Sequence, residues 1–457
     1  MADQPPTVNS DIPENSKERF SLIKEQFVKK FGCEPIFFAR APGRVNLIGE
    51  HIDYCGYGVL PMAVEQDIVI AVATQDNGKL NLSNVDSQYV DFECDVAKYE
   101  INSSNPVWYN YFLCGFRGMS EMLGLTEPTG MQCMVHGLVP CNAGLSSSSA
   151  LVCCAALATM QANGQQRSKK EIADMCASCE RYIGTQGGGM DQAISFMAQM
   201  GTAKKIDFNP LREESVMLPS DVVFVVSNCC VEKNKAASSD FNTRVVECRL
   251  ASQIIAKVKN LDWRQFKRFA DLQRALGASL SEMVAIVGSV LHEGAYMKSE
   301  VCEVLGVSQE ELAQTSLSAN TLQVSEFQLR KRALHVYSEA GRVERFQEVC
   351  NTAPPGASGI LGSLMNDSHT SCSVMYECSC TELDDLVKIC VEAGAIGSRL
   401  TGAGWGGCAI SMVPSSVVES FLAAVVEKYY QARGLGPRVG EALFATQPGS
   451  GAAVYLA

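Results

Sequence analysis

Three polar side chains, Glu50, His51 and Asp53, crowd one short loop bounded by Gly49 and Gly56, with Arg44 just upstream. Each hydroxyl of a sugar both donates and accepts, so carboxylates, an imidazole and a guanidinium suit a polyhydroxylated ligand. A solvated polar loop is the plainer alternative. A second segment runs Gly144-Leu145-Ser146-Ser147-Ser148-Ser149 into the apolar, small-residue stretch that begins at Ala150. One serine is enough to cap a helix, and four in a row exceed that need. Unpaired N–H groups at a helix start attract an anion and the helix dipole adds to the attraction, while serine hydroxyls offer a hard oxygen to Mg²⁺. A phosphate site is therefore favoured over a plain cap. A third segment, Gly187-Gly188-Gly189-Met190-Asp191-Gln192, reads either as a turn with a capping aspartate or as a carboxylate held where a substrate can come close.

A fourth segment has the spacing G-x-G-x-x-G at Gly402, Gly404 and Gly407. A dinucleotide fingerprint needs a helix after it, whereas Cys408 to Val413 reads as a strand. A backbone passing close to a ligand or another loop explains these glycines better. No G-x-x-x-x-G-K-[ST] sequence occurs, and neither His-Arg-Asp nor Asp-Phe-Gly is present. That excludes a Walker-type loop and the protein-kinase set.

The elements that must position these groups are those of a globular chain. With 457 residues, 47% of them hydrophobic and 19% charged, a sizeable core is expected. A net charge of −12 argues against a nucleic-acid partner, because phosphate-backbone binding needs a positive footprint. The 20 cysteines are scattered through apolar stretches and the first residues are polar, so a reduced cytoplasmic chain with buried thiols is expected. No apolar run is long enough to span a bilayer. Helical periodicity is predicted from residue 16 onward and over 108–123, 147–162, 170–182, 241–259 and 416–432. Strands are predicted over 36–40, 45–48, 64–74, 131–135, 222–226, 408–413, 443–446 and 453–456. Residues 1–15 read as a loose tail, 260–345 as largely helical, and a boundary is placed near Asn209-Pro210. This mixture without strict alternation predicts an α+β architecture.

Taken together, the segments resemble the GHMP small-molecule kinases and, within them, the galactokinase branch. Residues 43–54 resemble that branch's sugar motif, 144–150 the family's phosphate loop, and 400–408 its third motif, in the same order and spacing. The resemblance implies a two-lobed GHMP kinase fold with mixed sheets and helices, the active site between lobes at about 16–215 and 216–457. It implies transfer of the ATP γ-phosphoryl group to the anomeric hydroxyl of a hexose. Asp191 is then the candidate base, or an orienting group, with Arg44 as its neighbouring cation. Arg44, Glu50, His51, Asp53, Gly189, Asp191 and Asn234 would hold the sugar. Gly144, Leu145, Ser146, Ser147, Ser148, Ser149 and Lys235 would hold ATP, with Trp108 near the adenine or else in the core. Ser148 and Glu180 resemble the Mg²⁺ ligands, though Glu180 reads equally as a helix-surface charge.

Ile52, Ala403, Trp405 and the stretch 231–237 depart from the usual galactokinase pattern and look closer to members that phosphorylate N-acetylgalactosamine. That sugar is the one implied, with weaker galactose use, and galactose proper is the alternative. A relative that binds sugar and ATP without turnover is disfavoured, since Arg44, Asp191 and Ser149-Ala150 are all present. A mevalonate or homoserine kinase is disfavoured by the Glu50-His51-Asp53 loop. The sugar and MgATP are the only partners implied: no nucleic acid, no membrane, and a monomer.

Overall fold

The computed structural model describes residues 3–141, 143–184, 187–208, 210–231 and 239–457. A seven-stranded sheet runs in the order Thr7–Asn9, Ala453–Leu456, Phe37–Ile48, Leu60–Gln75, Gly130–Gly137, Lys79–Asn84, Phe92–Asp95. An inner strand, Phe37–Ile48, is buried along its whole length, which is why its sequence lacks a two-residue alternation. The amphipathic helix Lys17–Phe31 covers one face with Phe20, Ile23 and Phe27 against Phe38, Val69 and Met134. The Ser147–Ala162 helix, buried nearly all round, packs on the same two long strands.

A four-stranded antiparallel sheet follows the order Gly397–Thr401, Cys408–Pro414, Val222–Asn228, Leu443–Thr446. The 24-residue helix Leu329–Thr352 carries a buried stripe that includes Arg332, His335 and Glu339 as well as apolar side chains. The segment predicted as largely helical, 260–345, is so, apart from a two-residue pairing of Tyr296–Met297 with Glu326–Phe327.

Three expectations are corrected. Residues 1–15 are not all tail, because Thr7 to Asn9 pair in parallel with Ala453 to Tyr455 and satisfy an otherwise open sheet edge. Residues 36–40 and 45–48 are not two strands parted by Pro42 and Gly43; these two sit at a shift of register between Pro42 and Arg44 inside the one continuous strand Phe37–Ile48. The helix over 170–182 ends at Cys179 and tightens into a 3₁₀ turn, Glu180–Ile183. Because Ala453–Leu456 returns to the first sheet, a cut between 215 and 216 does not leave each sheet on one side. No disulfide links the cysteines of the described residues. Among the described residues no helix is long and apolar enough to cross a membrane.

Candidate active site

The register shift in the second strand turns Arg44 toward the 143–149 loop. A Cβ on Gly43 would lie 2.9 Å from the Leu145 carbonyl oxygen, so only glycine lets the two segments approach this closely. The Arg44 backbone N–H donates to Leu145 O at 3.1 Å. Its side chain is buried and donates to Gly144 O at 2.6 Å. The same guanidinium meets Asp191 Oδ1 through Nε and Nη2, both at 2.8 Å.

Asp191 stands in the first turn of the Met190–Met197 helix, entered through Gly189 at φ +100°, a placement that favours negative charge. Its other oxygen accepts from Ser146 Oγ at 2.6 Å and, at longer range, from Ser149 Oγ at 3.4 Å. Ser146 adopts the left-handed region at φ +61° and precedes the helix that Ser147, Ser148 and Ser149 begin. The serine run thus serves two neighbours. Ser146 faces Asp191, and the helix start with its unpaired N–H groups opens onto a cleft of about 210 Å³. Trp108, Tyr111, Leu145, Ser147, Ser148 and Glu180 are among the groups that line it.

Glu180 is buried and accepts from Gln192 Nε2 at 2.7 Å. It is therefore not a helix-surface charge. Trp108 is half-buried: it lines the cleft, packs against the core and donates from Nε1 to Val90 O at 2.9 Å. Ser148 and Glu180 line the same cleft, and a hydroxyl and a carboxylate are oxygen donors of the kind Mg²⁺ prefers.

A second, narrower cavity is lined by Glu50, His51, Asp53, Gly188, Gly189 and Phe241, and it shares Arg44, Glu180, Asp191 and Ala403 with the first. A Cβ at Gly188 would lie 2.4 Å from Asp53 Oδ2, so the glycine run is what brings the Asp191 turn against the Asp53 loop. Glu50 is buried beside Arg399, Nη2 to Oε2 at 3.1 Å. Burial pushes its carboxyl up, against the opposing pull of Arg399 and Arg44. His51 lines the same cavity. Its Nδ1 meets Tyr54 Oη at 2.8 Å and its Nε2 meets Ala403 O at 3.0 Å, so both ring nitrogens are already engaged by the protein. Asn234 and Lys235 lie outside the described residues.

The glycine-rich turn is explained by close approach to neighbouring backbone. A Cβ at Gly402 would fall 2.3 Å from Gly144 O, one at Gly404 2.0 Å from Cys378 O, and one at Gly406 2.4 Å from Val231 O. All three have positive φ. This turn is packed against the serine loop.

Family models match along the chain: a galactokinase galactose-binding signature over residues 25–74, the GHMP kinase N-terminal domain over 110–199, and the GHMP kinase C-terminal domain over 356–431. The galactokinase of Dictyostelium discoideum is 43% identical over 447 residues, covering 91% of this chain and 89% of its own. The chain belongs to the galactokinase family. The Saccharomyces cerevisiae galactokinase is 31% identical, over 97% of this chain and 96% of its own. The crystal structure of Lactococcus lactis galactokinase complexed with galactose superposes with a TM-score of 0.72 at 26% identity, covering 95% of this chain and 99% of that one. Methanococcus jannaschii mevalonate kinase, at 16% identity and a TM-score of 0.56, shares the fold alone. This galactokinase-family chain is accordingly a sugar kinase of GHMP fold that uses ATP with Mg²⁺.

Several groups that shape the site carry no motif. Arg399 donates to Asn46 O at 2.7 Å and pairs with Glu50. Glu339 accepts from the backbone N–H groups of Gly49 and Glu50 at 2.8 and 3.2 Å. His335 Nε2 reaches Glu50 O at 3.0 Å, and burial lowers its pKa to about 4. His335 and Glu339, with Arg332, leave as their trace in sequence a set of polar residues on the inner face of the long helix, at a helical spacing that mimics an exposed stripe, while Arg399 stands alone in the strand Gly397–Thr401.

Proposed function

We propose that this chain transfers the γ-phosphoryl group of MgATP to the anomeric hydroxyl of a galactose-configured hexose, giving the sugar 1-phosphate and ADP. The observation that carries this reading is the meeting of two cavities at the Arg44–Asp191 pair. The serine-lined cleft takes the triphosphate, and the narrower cavity takes the sugar.

Asp191 lies where it accepts the anomeric proton as the sugar oxygen bonds to the γ-phosphorus and the bond to ADP breaks, ADP leaving with the electron pair. Arg44 then faces the charge that spreads over the moving phosphoryl group, which is the main task in this chemistry. The N–H groups at the start of the Ser147–Ala162 helix, with Ser147, hold phosphate oxygens. Ser148 and Glu180 would hold Mg²⁺. When bound, the ion neutralises charge on the β- and γ-phosphates. Gln192 fixes the Glu180 carboxylate and also reaches Ser149 at 3.4 Å, so it orients both groups. Asp53, Glu50 and the Gly189 backbone take the hydroxyls. With no disulfide among the cysteines of the described residues, a reducing cytoplasm suits the chain.

The relatives' names support galactose as the sugar better than N-acetylgalactosamine. The second reading rests on the motif departures. Of these, Ile52 is fully buried in the core and Trp405 packs on His51, its ring centroid 5.8 Å away. Of these three described residues, Ala403 is the one that lines the sugar cavity. Relative kcat/KM for the two sugars decides between the readings. Failure to phosphorylate either one overturns the proposal.

Asp53→Ala is expected to raise the sugar KM about 10- to 100-fold, the equivalent of one hydrogen bond to a charged group. The ATP KM should move less than about three-fold, well under one such bond. Equal shifts in both constants would place this loop away from the sugar.

A further inference from the structure

His51 is a fixed strut between the two substrate loops. Ala403 O can only accept, so His51 Nε2 carries a proton and donates to it at 3.0 Å. Its Nδ1 meets Tyr54 Oη at 2.8 Å, Tyr54 Oη meets Tyr376 Oη at 2.6 Å, and Cys248 Sγ lies 3.2 Å from Tyr376 Oη. Each hydroxyl in this row has one neighbour on either side, so donors and acceptors must alternate along it. The row runs from a buried thiol to the carbonyl of Ala403, a residue that lines both cavities.

The far end of the row is held in place. Tyr376 is fully buried and closes a π-helical turn, Ser371–Tyr376, followed by Glu377 at φ +54°. Such turns leave carbonyls without helical partners. Here Arg332 Nη1 donates to Met375 O at 2.6 Å, Arg244 Nε to Tyr376 O at 2.8 Å, and Arg244 Nη2 to Glu377 O at 3.0 Å. Arg244 also lies over the Trp405 ring, 5.6 Å from its centroid. The ring of Tyr376 packs 4.7 Å from that of His51.

We infer that Tyr376, acting through Tyr54 and His51, is a positioning residue that sets the Ala403 turn for both substrates at once. The inference rests on the sugar-kinase reading only for its kinetic readout.

The experiment compares Tyr376→Phe, Tyr54→Phe and the double variant, with kinetics in both substrates and ¹⁵N NMR of His51. Tyr376→Phe keeps the ring and removes one hydroxyl. It should raise the sugar KM and the ATP KM together by roughly 2- to 12-fold, the worth of one hydrogen bond. In the Tyr54→Phe background the second substitution should add little, because the row is already cut. The parent's His51 should show a protonated, hydrogen-bonded Nε2. A fall in kcat with both KM values at parental levels means only lost active protein and overturns the inference. So does additivity of the two substitutions, or an unprotonated Nε2 in the parent. If the parent phosphorylates no sugar, the functional reading fails, while the NMR result still tests the strut.

Discussion

Asp191→Asn is expected to lower kcat by about 10²- to 10⁴-fold, the usual worth of a positioned general base, while ATP binding stays close to that of the parent. The amide keeps the shape of the side chain and still accepts from Arg44, which meets Oδ1 through two nitrogens at 2.8 Å. It cannot take a proton from the sugar. Its NH₂ group would also face Ser146 Oγ, which donates at 2.6 Å to the oxygen replaced; that hydroxyl can rotate and accept instead. On the proposed reading, nucleotide contacts come from the helix start and so should survive the change. Single-turnover phosphoryl transfer with saturating sugar, beside ATP titration of the same variant, separates the two effects. Activity within a few-fold of the parent would show that Asp191 only orients the hydroxyl, since an amide oxygen can do that as well.

The groups legible in sequence are those whose composition is locally improbable. Four serines after Gly-Leu, three acceptors within four residues, and an aspartate behind three glycines each need an explanation beyond local structure. All of them line the adjoining cavities. Spacing and apolar runs placed the Trp108–Leu123 and Ser147–Ala162 helices at their observed limits, because the first buries its apolar side chains against the second, and the second buries its own against the sheet. It could not place Thr7–Asn9, since three residues with two exposed side chains owe their strand state to a partner 446 positions away. Nor could it assign His51. A loop imidazole beside carboxylates suggests a ligand, and only the positions of Tyr54 and Ala403 reveal that both nitrogens are taken. Arg399 and Glu339 were hidden for the opposite reason. A single polar residue in a strand or helix carries no sign of whether it faces water or another charge.

That buried pair underlies the second large effect: Arg399→Leu is expected to destabilise the fold by about 3–5 kcal/mol, the cost of orphaning a buried charge. Arg399 is fully buried and its Nη2 faces Glu50 Oε2. Glu339 lies in the same network, held by Arg342 Nε at 2.6 Å and Ser368 Oγ at 2.6 Å. Burial alone would push the Glu339 carboxyl up, but Arg342, Arg399 and His335 together hold it down to about 2. Its folded pKa thus lies below the ordinary 4.5. The stability it contributes is fully present above that value and is lost as pH falls toward 2. Without Arg399 that loss begins at a higher pH, so the variant should also unfold earlier on acidification. Leucine fills much of the space, which lets charge be separated from packing by a second substitution. Glu50→Gln in the Arg399→Leu background removes the orphaned carboxylate and should recover a good part of the lost Tm, measured by thermal unfolding between about pH 4 and 8, a window spanning the ordinary carboxylate and histidine ranges. No recovery would mean that the guanidinium acts by filling volume. The sugar KM of the double variant should stay raised, because Glu50 would no longer present a carboxylate to the cavity that Arg399 and Glu339 keep in place.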